Sequence, residues 1–117
     1  MRILFILNDP PYGTERTYNA LRLAQALGKS GDGTDITLFL LADAVFAAKA
    51  GQKTPEGYYN VERMLRRVVT AGGALLLCGT CMDARALTDA DLVQGARRST
   101  MDELAAATRA ADKVLVF

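Results

Sequence analysis

Two cysteines are the residues of this 117-residue chain best suited to covalent chemistry. Cys78 and Cys81 form a Cys-x-x-Cys pair that directly follows an apolar run, with Gly79 and Thr80 between them. Only the thiolate reacts, and an unperturbed pKa of about 8.5 leaves a few per cent of a thiol ionised at neutral pH. The pattern indicates redox or sulfur-handling chemistry, and the alternative interpretation is two small buried hydrophobic residues.

Charged side chains near a thiol change the fraction of it that is ionised. Three arginines follow the pair along the chain: Arg85, Arg97 and Arg98. Together with the amides of the loop predicted after Cys78, they would favour the thiolate, whereas Asp83 would oppose it. The simplest interpretation of the Arg97-Arg98 pair is a solvated surface, and the alternative is that it complements an anionic persulfide.

Three chemistries compete for the cysteine pair. A zinc site needs four ligands, and because the chain has no histidine it would need cysteines from a second subunit. A thioredoxin-type oxidoreductase has its motif after an early strand and a cis-proline later in the chain, but here Pro55 is the last proline. Sulfur transfer needs only an accessible thiol of low pKa that accepts sulfane sulfur as a persulfide. We therefore expect neither a metal nor a cofactor.

The elements that position the pair are predicted from apolar patterning. Four short and nearly continuous apolar runs are typical of strands in a sheet covered on both faces. They are Ile3–Leu7, Ile36–Leu41, Ala74–Cys78 and Lys113–Phe117, and a weaker fifth strand is predicted at Gln94–Arg97. Helical patterns lie between them, so the chain is predicted to be an α/β protein, a three-layer α/β/α sandwich with a mainly parallel five-stranded sheet.

The predicted helices differ in the strength of their pattern. The clearest amphipathic helix spans Val61–Val69, and another runs from Tyr18 to Leu27 with Gly28 as its stop. A last helix at Met101–Thr108 follows a sequence with capping-box spacing, Thr100 to Glu103. Short helices are also predicted near Asp43–Lys49 and Asp89–Val93.

The carboxyl ends of parallel strands meet at one edge of a sheet, where polar residues follow three of the predicted strands. We expect a pocket there beside Cys78 and Cys81. Its predicted members are Asn8, Tyr12, Gly13, Asp43, Thr80, Asp83 and Arg85. The loop at 8–17 lacks the Walker A lysine and the G-x-G-x-x-G fingerprint, so nucleotide binding is weakly supported, and a plain strand-to-helix turn is the alternative. The polar stretch Gly51–Tyr59 is predicted to be a surface loop, or else a lid or subunit contact.

Charge and composition exclude other classes of function. Fourteen Lys and Arg residues against 13 Asp and Glu residues give a formal net charge of +1, which provides no electrostatic footprint for nucleic acid or an acidic membrane surface. No apolar run approaches the ~18 residues of a membrane span. We predict one domain, residues 1–117, working in the cytoplasm with its thiols reduced.

The chain resembles the DsrE/DsrF-like family, specifically its small YchN-like branch. The matching stretches cover nearly the whole sequence, and the cysteine block and the Ala-Asp-Lys-Val ending are the specific parts. They are Pro11–Gly13, Asn19–Ala24, Phe39–Val45, Gly51–Lys53, Glu56–Tyr58, Leu77–Arg85 and Ala111–Leu115. The resemblance implies a five-stranded α/β/α fold, assembly into homotrimers or homohexamers, and a part in intracellular sulfur metabolism with donor and acceptor proteins.

By its position in the motif, the resemblance assigns the persulfide to Cys78. Cys81 belongs to the YchN-like pattern, and we interpret it as a resolving thiol. Ala86 departs from the pattern, because relatives are expected to have glycine there, which would change the bend after Arg85. The leading hypothesis is a sulfur carrier with Cys78 as the acceptor. The alternatives are a non-catalytic homo-oligomeric module that binds a small ligand and, third, a thiol–disulfide oxidoreductase that uses Cys78 and Cys81.

Overall fold

The computed structural model describes residues 1–117, which form one five-stranded sheet with helices between the strands. The strands are β1 (Arg2–Leu7), β2 (Asp35–Leu40), β3 (Ala74–Cys78), β4 (Ala96–Ser99) and β5 (Lys113–Val116). The helices are α1 (Arg16–Gly28), α2 (Val61–Thr70), α3 (Gly79–Ala84) and α4 (Met101–Ala110), with 3₁₀ helices at Ala42–Ala48 and Asp89–Asp91. The strand order is β4-β3-β2-β1-β5, and every neighbouring pair is parallel.

The two faces of the sheet are covered unequally. On the first face, side chains of β1, β2 and β3 pack with α1, α2 and the 3₁₀ helix at Ala42–Ala48 in a core of 22 buried residues. On the second face, α4 covers a cluster of five buried residues, to which it contributes Leu104. The sheet therefore lies between two helical layers, which confirms the predicted three-layer α/β/α fold, and its second face has the thinner core.

Two elements differ from the sequence-based prediction. Strand β4 spans Ala96–Ser99 rather than Gln94–Arg97, because its pairing with β3 sets its register and brings Cys78 opposite Ser99. The segment after Cys78, expected as a loop, is the six-residue helix α3. Glycine and threonine are weak helix formers, so the sequence of Gly79–Ala84 does not predict a helix. Tertiary contacts stabilise it instead.

The Gly51–Tyr59 stretch is fixed to the helices by aromatic contacts. Tyr59 stacks on Tyr18 of α1 with 4.0 Å between ring centroids. The Tyr12 hydroxyl accepts a hydrogen bond of 3.1 Å from the backbone N–H of Val61, the first residue of α2. Burial, followed by the neighbouring tyrosine hydroxyl, raises the pKa of Tyr59 to about 12. The tyrosines join this segment to α1 and α2.

Ala86 lies in the left-handed region, with φ of 57°. An L-residue there is disfavoured by about 1–2 kcal/mol, whereas glycine adopts the conformation freely but loses more entropy on folding. We therefore expect Ala86→Gly to raise the free energy of unfolding by about 0.5–1 kcal/mol, measured by urea denaturation.

Ala84→Gly is the matched control for this prediction. Ala84 is also exposed and is the last residue of α3, in the ordinary right-handed conformation. Glycine at that position should lower the free energy of unfolding by about 0.5–1 kcal/mol. Equal losses in the two variants would contradict the argument from backbone conformation.

Candidate functional site

Cys78 ends β3 and precedes the first residue of α3, so its thiol stands where a central strand meets a helix. Its Sγ accepts a hydrogen bond of 3.4 Å from the backbone N–H of Cys81 and lies 3.2 Å from the Thr80 hydroxyl oxygen. The residue is 6% exposed. On the second face it belongs to the same buried hydrophobic cluster as Leu4, Phe39, Leu76 and Leu104. The thiol therefore has a hydrocarbon wall on one side and polar donors on the other.

Cys81 is half-buried and has a backbone donor of its own. Its Sγ accepts a hydrogen bond of 3.3 Å from the backbone N–H of Ala42, at the start of the 3₁₀ helix that follows β2. Ala42 has φ of 50°, a left-handed conformation that is unfavourable for alanine. The second thiol is therefore held against the neighbouring strand end by a strained turn.

The two thiols have opposite pKa shifts. Burial of Cys78 opposes its ionisation, but the neighbouring Cys81 thiol, the Thr80 hydroxyl and the amides of both residues together outweigh burial, so the pKa of Cys78 lies below its ordinary value. Burial raises the pKa of Cys81, and its interaction with Cys78 raises it further. Cys78 is therefore the thiol that ionises first, with Cys81 as its proton-bearing neighbour.

Carboxylates partner the arginines near the pair. The Arg85 guanidinium donates to Asp43 at 2.8 Å and to the Cys81 carbonyl at 3.1 Å. Arg98 makes a two-bond contact with Asp83, at 2.8 and 2.7 Å. Each guanidinium charge is balanced by a carboxylate, so the hydrogen bonds at the sulfur, rather than a free cation, account for the lowered pKa of Cys78.

The Arg98 guanidinium approaches Gly79 closely. A Cβ atom at Gly79 would lie 2.7 Å from Arg98 Nε and 2.9 Å from its Cζ. The guanidinium therefore rests on the backbone just after Cys78 while it holds Asp83 of α3. A side chain at position 79 would displace this guanidinium from its present position.

Comparison with known proteins identifies the family. The sequence model of the DsrE/DsrF-like family matches residues 1–117. The chain belongs to the DsrE/DsrF-like family. Protein YchN of Escherichia coli (strain K12) is 42% identical over 116 residues, which cover 99% of this chain and 98% of that protein, so the chain falls in the YchN-like branch. An uncharacterized protein of Methanocaldococcus jannaschii, MJ0989, is 36% identical over 117 residues and the full length of both chains.

Solved structures agree with this assignment to the DsrE/DsrF-like family. The crystal structure of the E. coli ychN protein matches with a TM-score of 0.95 and 42% identity, covering 100% of this chain and 99% of that one. A protein of unknown function from Methanobacterium thermoautotrophicum, MTH1491, matches with a TM-score of 0.77 at 12% identity, covering 96% of each chain. The second match shows a shared fold alone.

The DsrE/DsrF-like chain brings several predicted site residues together around the two thiols. Thr80 contacts the Cys78 sulfur directly. Arg85 contacts the Cys81 carbonyl and thereby connects Asp43 to the pair. These residues come from the carboxyl ends of β2 and β3, the edge at which the sequence predicted them.

The predicted residues that follow β1 make their hydrogen bonds elsewhere in the DsrE/DsrF-like fold. The Asn8 side chain donates to the Phe117 carbonyl at 3.2 Å, on the β5 side of β1. Tyr12 belongs to the tyrosine contacts described above, and a Cβ at Gly13 would lie 2.7 Å from Pro10 Cγ. Strand β2 lies between β1 and β3 in the sheet, so these residues are separated from the end of β3 by a whole strand. They belong to the turn between β1 and α1.

Two residues near the thiols were not predicted from the DsrE/DsrF-like sequence. Ala42 contributes only its backbone N–H, and no side chain signals that role. Ser99 is opposite Cys78 in the register of β3 and β4 and is buried. Its position beside Cys78 depends on the register between β3 and β4. The arginine-rich sequence of β4 has no hydrophobic pattern that would predict this register.

Two further structural features of the chain concern metal binding and membrane insertion. No cluster of three or more His, Cys, Asp and Glu residues is arranged to hold a metal ion. None of the helices combines the length and apolar character needed to cross a membrane.

Proposed function

We propose that this protein carries sulfane sulfur as a persulfide on Cys78. The DsrE/DsrF-like family, to which the chain belongs, is associated with sulfur relay. The observation that carries the proposal is the environment of the Cys78 sulfur, which has the Cys81 N–H and the Thr80 hydroxyl as hydrogen-bond partners at the end of a central strand. Hydrogen bonding to the ionised form is the physical means of obtaining a reactive thiolate at neutral pH.

Loading follows from nucleophilic attack. The Cys78 thiolate attacks the outer sulfur of a donor persulfide, R–S–SH. A bond forms between Cys78 Sγ and that sulfur, the donor S–S bond breaks, and the donor leaves as the thiolate R–S⁻. The proton of the donor persulfide stays on the transferred sulfur or is exchanged with water. The step is neutral in electrons overall and needs no external oxidant.

The limited exposure of Cys78 restricts how a donor approaches. Hydrophobic side chains close the second face, whereas Thr80 is exposed and Cys81 is half-buried. A donor therefore reaches the sulfur from the side of α3. We assign to Cys81 the role of releasing the carried sulfur or protecting it.

Intact-mass measurement tests the proposal directly. The wild type is incubated with glutathione persulfide, desalted and weighed, and it should gain the mass of one sulfur atom. Cys78→Ser should gain none, whereas Cys81→Ser, the matched control, should still load. A wild type that stays unmodified, or a gain in Cys78→Ser equal to that of the wild type, would refute the carrier role.

A non-catalytic binding role is the second candidate, and one observation favours it. A cavity of about 330 Å³ opens between α1 and α2, near the amino ends of β2 and β3 and away from the thiols. Its lining combines an apolar floor with two cations at the rim, Lys29 and Arg67. The volume is within the range of small-molecule sites. This candidate would be favoured if the wild type takes up no sulfur and the double variant Cys78→Ser/Cys81→Ser still folds fully.

We also propose that copies of the chain assemble into trimers or hexamers in the cytoplasm. Strand β5 is at the edge of the sheet, and its Val116 is 66% exposed on the thinly covered second face. An edge strand with exposed apolar side chains is a surface for pairing with another chain. Sedimentation velocity should give a mass of three or six subunits, and a monomer mass at micromolar concentration would contradict assembly.

A further inference from the structure

Ser99 has a buried hydroxyl group without a hydrogen-bond partner in the chain. The residue is 4% exposed and is the last of β4. Buried polar groups are almost always hydrogen-bonded, because desolvation without a new partner is unfavourable. A native structure that keeps such a hydroxyl calls for a physical explanation.

The register of the sheet places this hydroxyl beside the proposed carrier thiol. Ser99 pairs with Cys78 across the parallel strands β3 and β4. Residues paired in this way have side chains on the same face, and neighbouring strands lie about 4.8 Å apart. Leu76, two residues before Cys78, belongs to the hydrophobic cluster of the second face. Ser99 is therefore a polar group among hydrocarbon, next to a sulfur.

The empty thiol does not use the hydroxyl. Ser99 Oγ makes no hydrogen bond to Cys78 Sγ, whose partners are the Cys81 N–H and the Thr80 hydroxyl. The other candidate partner is Glu103 of α4, whose pKa is held below its ordinary value by the Arg97 guanidinium and, to a smaller extent, by the Ser99 hydroxyl. Both of its carboxylate oxygens accept from the Arg97 guanidinium, at 3.0 and 2.9 Å, and neither has a hydrogen bond of normal geometry from Ser99.

A persulfide changes this geometry. The added sulfur lies one S–S bond, about 2.05 Å, beyond Sγ, which is a large fraction of the spacing between two strands. We propose that the Ser99 hydroxyl donates a hydrogen bond to the outer sulfur of the Cys78 persulfide. The inference rests on the proposed carrier function and gives Ser99 a role specific to the loaded state.

An exchange equilibrium measures that role. Glutathione persulfide and Cys78 are equilibrated at defined glutathione concentrations, and the loaded fraction is read by intact mass. Loss of one hydrogen bond to the charged outer sulfur should lower the exchange constant about tenfold in Ser99→Ala. The alkylation rate of unloaded Cys78 should stay unchanged, and the melting temperature should stay level or rise, because the substitution removes an unpartnered polar group.

Two control variants separate a sulfur-specific role from a structural one. Thr17 is also fully buried, but its hydroxyl donates to the Asp9 carbonyl at 2.8 Å. Thr17→Val should lower the melting temperature and leave the exchange constant unchanged. Glu103→Gln should also leave the exchange constant unchanged.

The outcomes distinguish this inference from the proposed function. If the wild type takes up no sulfur, the carrier function itself fails. If the wild type loads and Ser99→Ala has the same exchange constant, the role of Ser99 is refuted while the carrier function stands. An equal decrease in Glu103→Gln, or a lower melting temperature or slower alkylation in Ser99→Ala, would also refute it, since the hydroxyl would then serve α4, the fold or the empty thiol.

Discussion

Replacement of Cys81 by alanine should slow the alkylation of Cys78 by iodoacetamide at neutral pH by about three- to tenfold. The Cys81 thiol is the largest of the influences that lower the pKa of Cys78. A polar neighbour that stabilises a charged group contributes at most about 1.5–3 kcal/mol, so the loss of the Cys81 thiol reduces the thiolate fraction by up to about ten- to a hundredfold. The less acidic thiolate is intrinsically more nucleophilic, which recovers about half of that factor on a logarithmic scale.

The sign of the effect reverses with pH. Below the pKa of both proteins the variant reacts more slowly, because less of its Cys78 is ionised. Well above both values the thiol is fully ionised in each, and the variant reacts faster, because its thiolate is the more nucleophilic. The two rate profiles, measured by mass spectrometry of the peptide that contains Cys78, should therefore cross.

Cys81→Ser is the matched variant for this measurement. A serine hydroxyl remains a hydrogen-bond donor, and the backbone N–H that contacts Cys78 is retained in both substitutions. The serine variant should have a rate between those of the wild type and the alanine variant. Profiles that coincide for the wild type and Cys81→Ala would show that the Cys81 thiol has no influence on the ionisation of Cys78.

The fold was predictable because its strongest signals are local. Strand β3 was predicted with its observed bounds, since Ala74–Cys78 is a continuous apolar run in front of a glycine. Helix α2 was predicted to within one residue by the apolar spacing of Val61–Val69. Strand β4 was displaced because its arginines are exposed at an edge, where the pairing with β3 rather than a hydrophobic pattern fixes the position.

The candidate site was only partly predictable. The topology of parallel strands was sufficient to bring Cys81 near the end of β2, where its sulfur meets the Ala42 amide. It was not sufficient to place Asn8, because the position of β1 in the sheet depends on the whole strand order. Electrostatic partners were also hidden, since the pairing of Arg98 with Asp83 depends on side-chain directions that spacing does not fix.

The same face of the sheet holds both the Cys78 sulfur and the thinner hydrophobic core. Cys78 is one of the five buried residues of the second face, whereas the first face has 22. Few apolar contacts therefore hold α4 and the strands together beside the thiol. A substitution in this small cluster should therefore lower the free energy of unfolding substantially, although the cluster lies outside the larger core.

Phe39→Ala should lower the free energy of unfolding by about 3–5 kcal/mol, the usual range for removing a buried phenylalanine side chain. Phe39 is fully buried and lies in register between Ile6 of β1 and Leu76 of β3, at the centre of the second face. Small domains are stable by only about 5–15 kcal/mol, so urea denaturation should show a much lower midpoint.

Phe46→Ala is the control for the loss of an aromatic ring. Phe46 lies in the 3₁₀ helix at Ala42–Ala48 and is only partly buried against the larger core. Because less apolar area is removed from water there, its free energy of unfolding should fall by about half as much or less. A loss at Phe39 no greater than the loss at Phe46 would contradict the view that this small cluster holds together the second face and the hydrophobic wall beside Cys78.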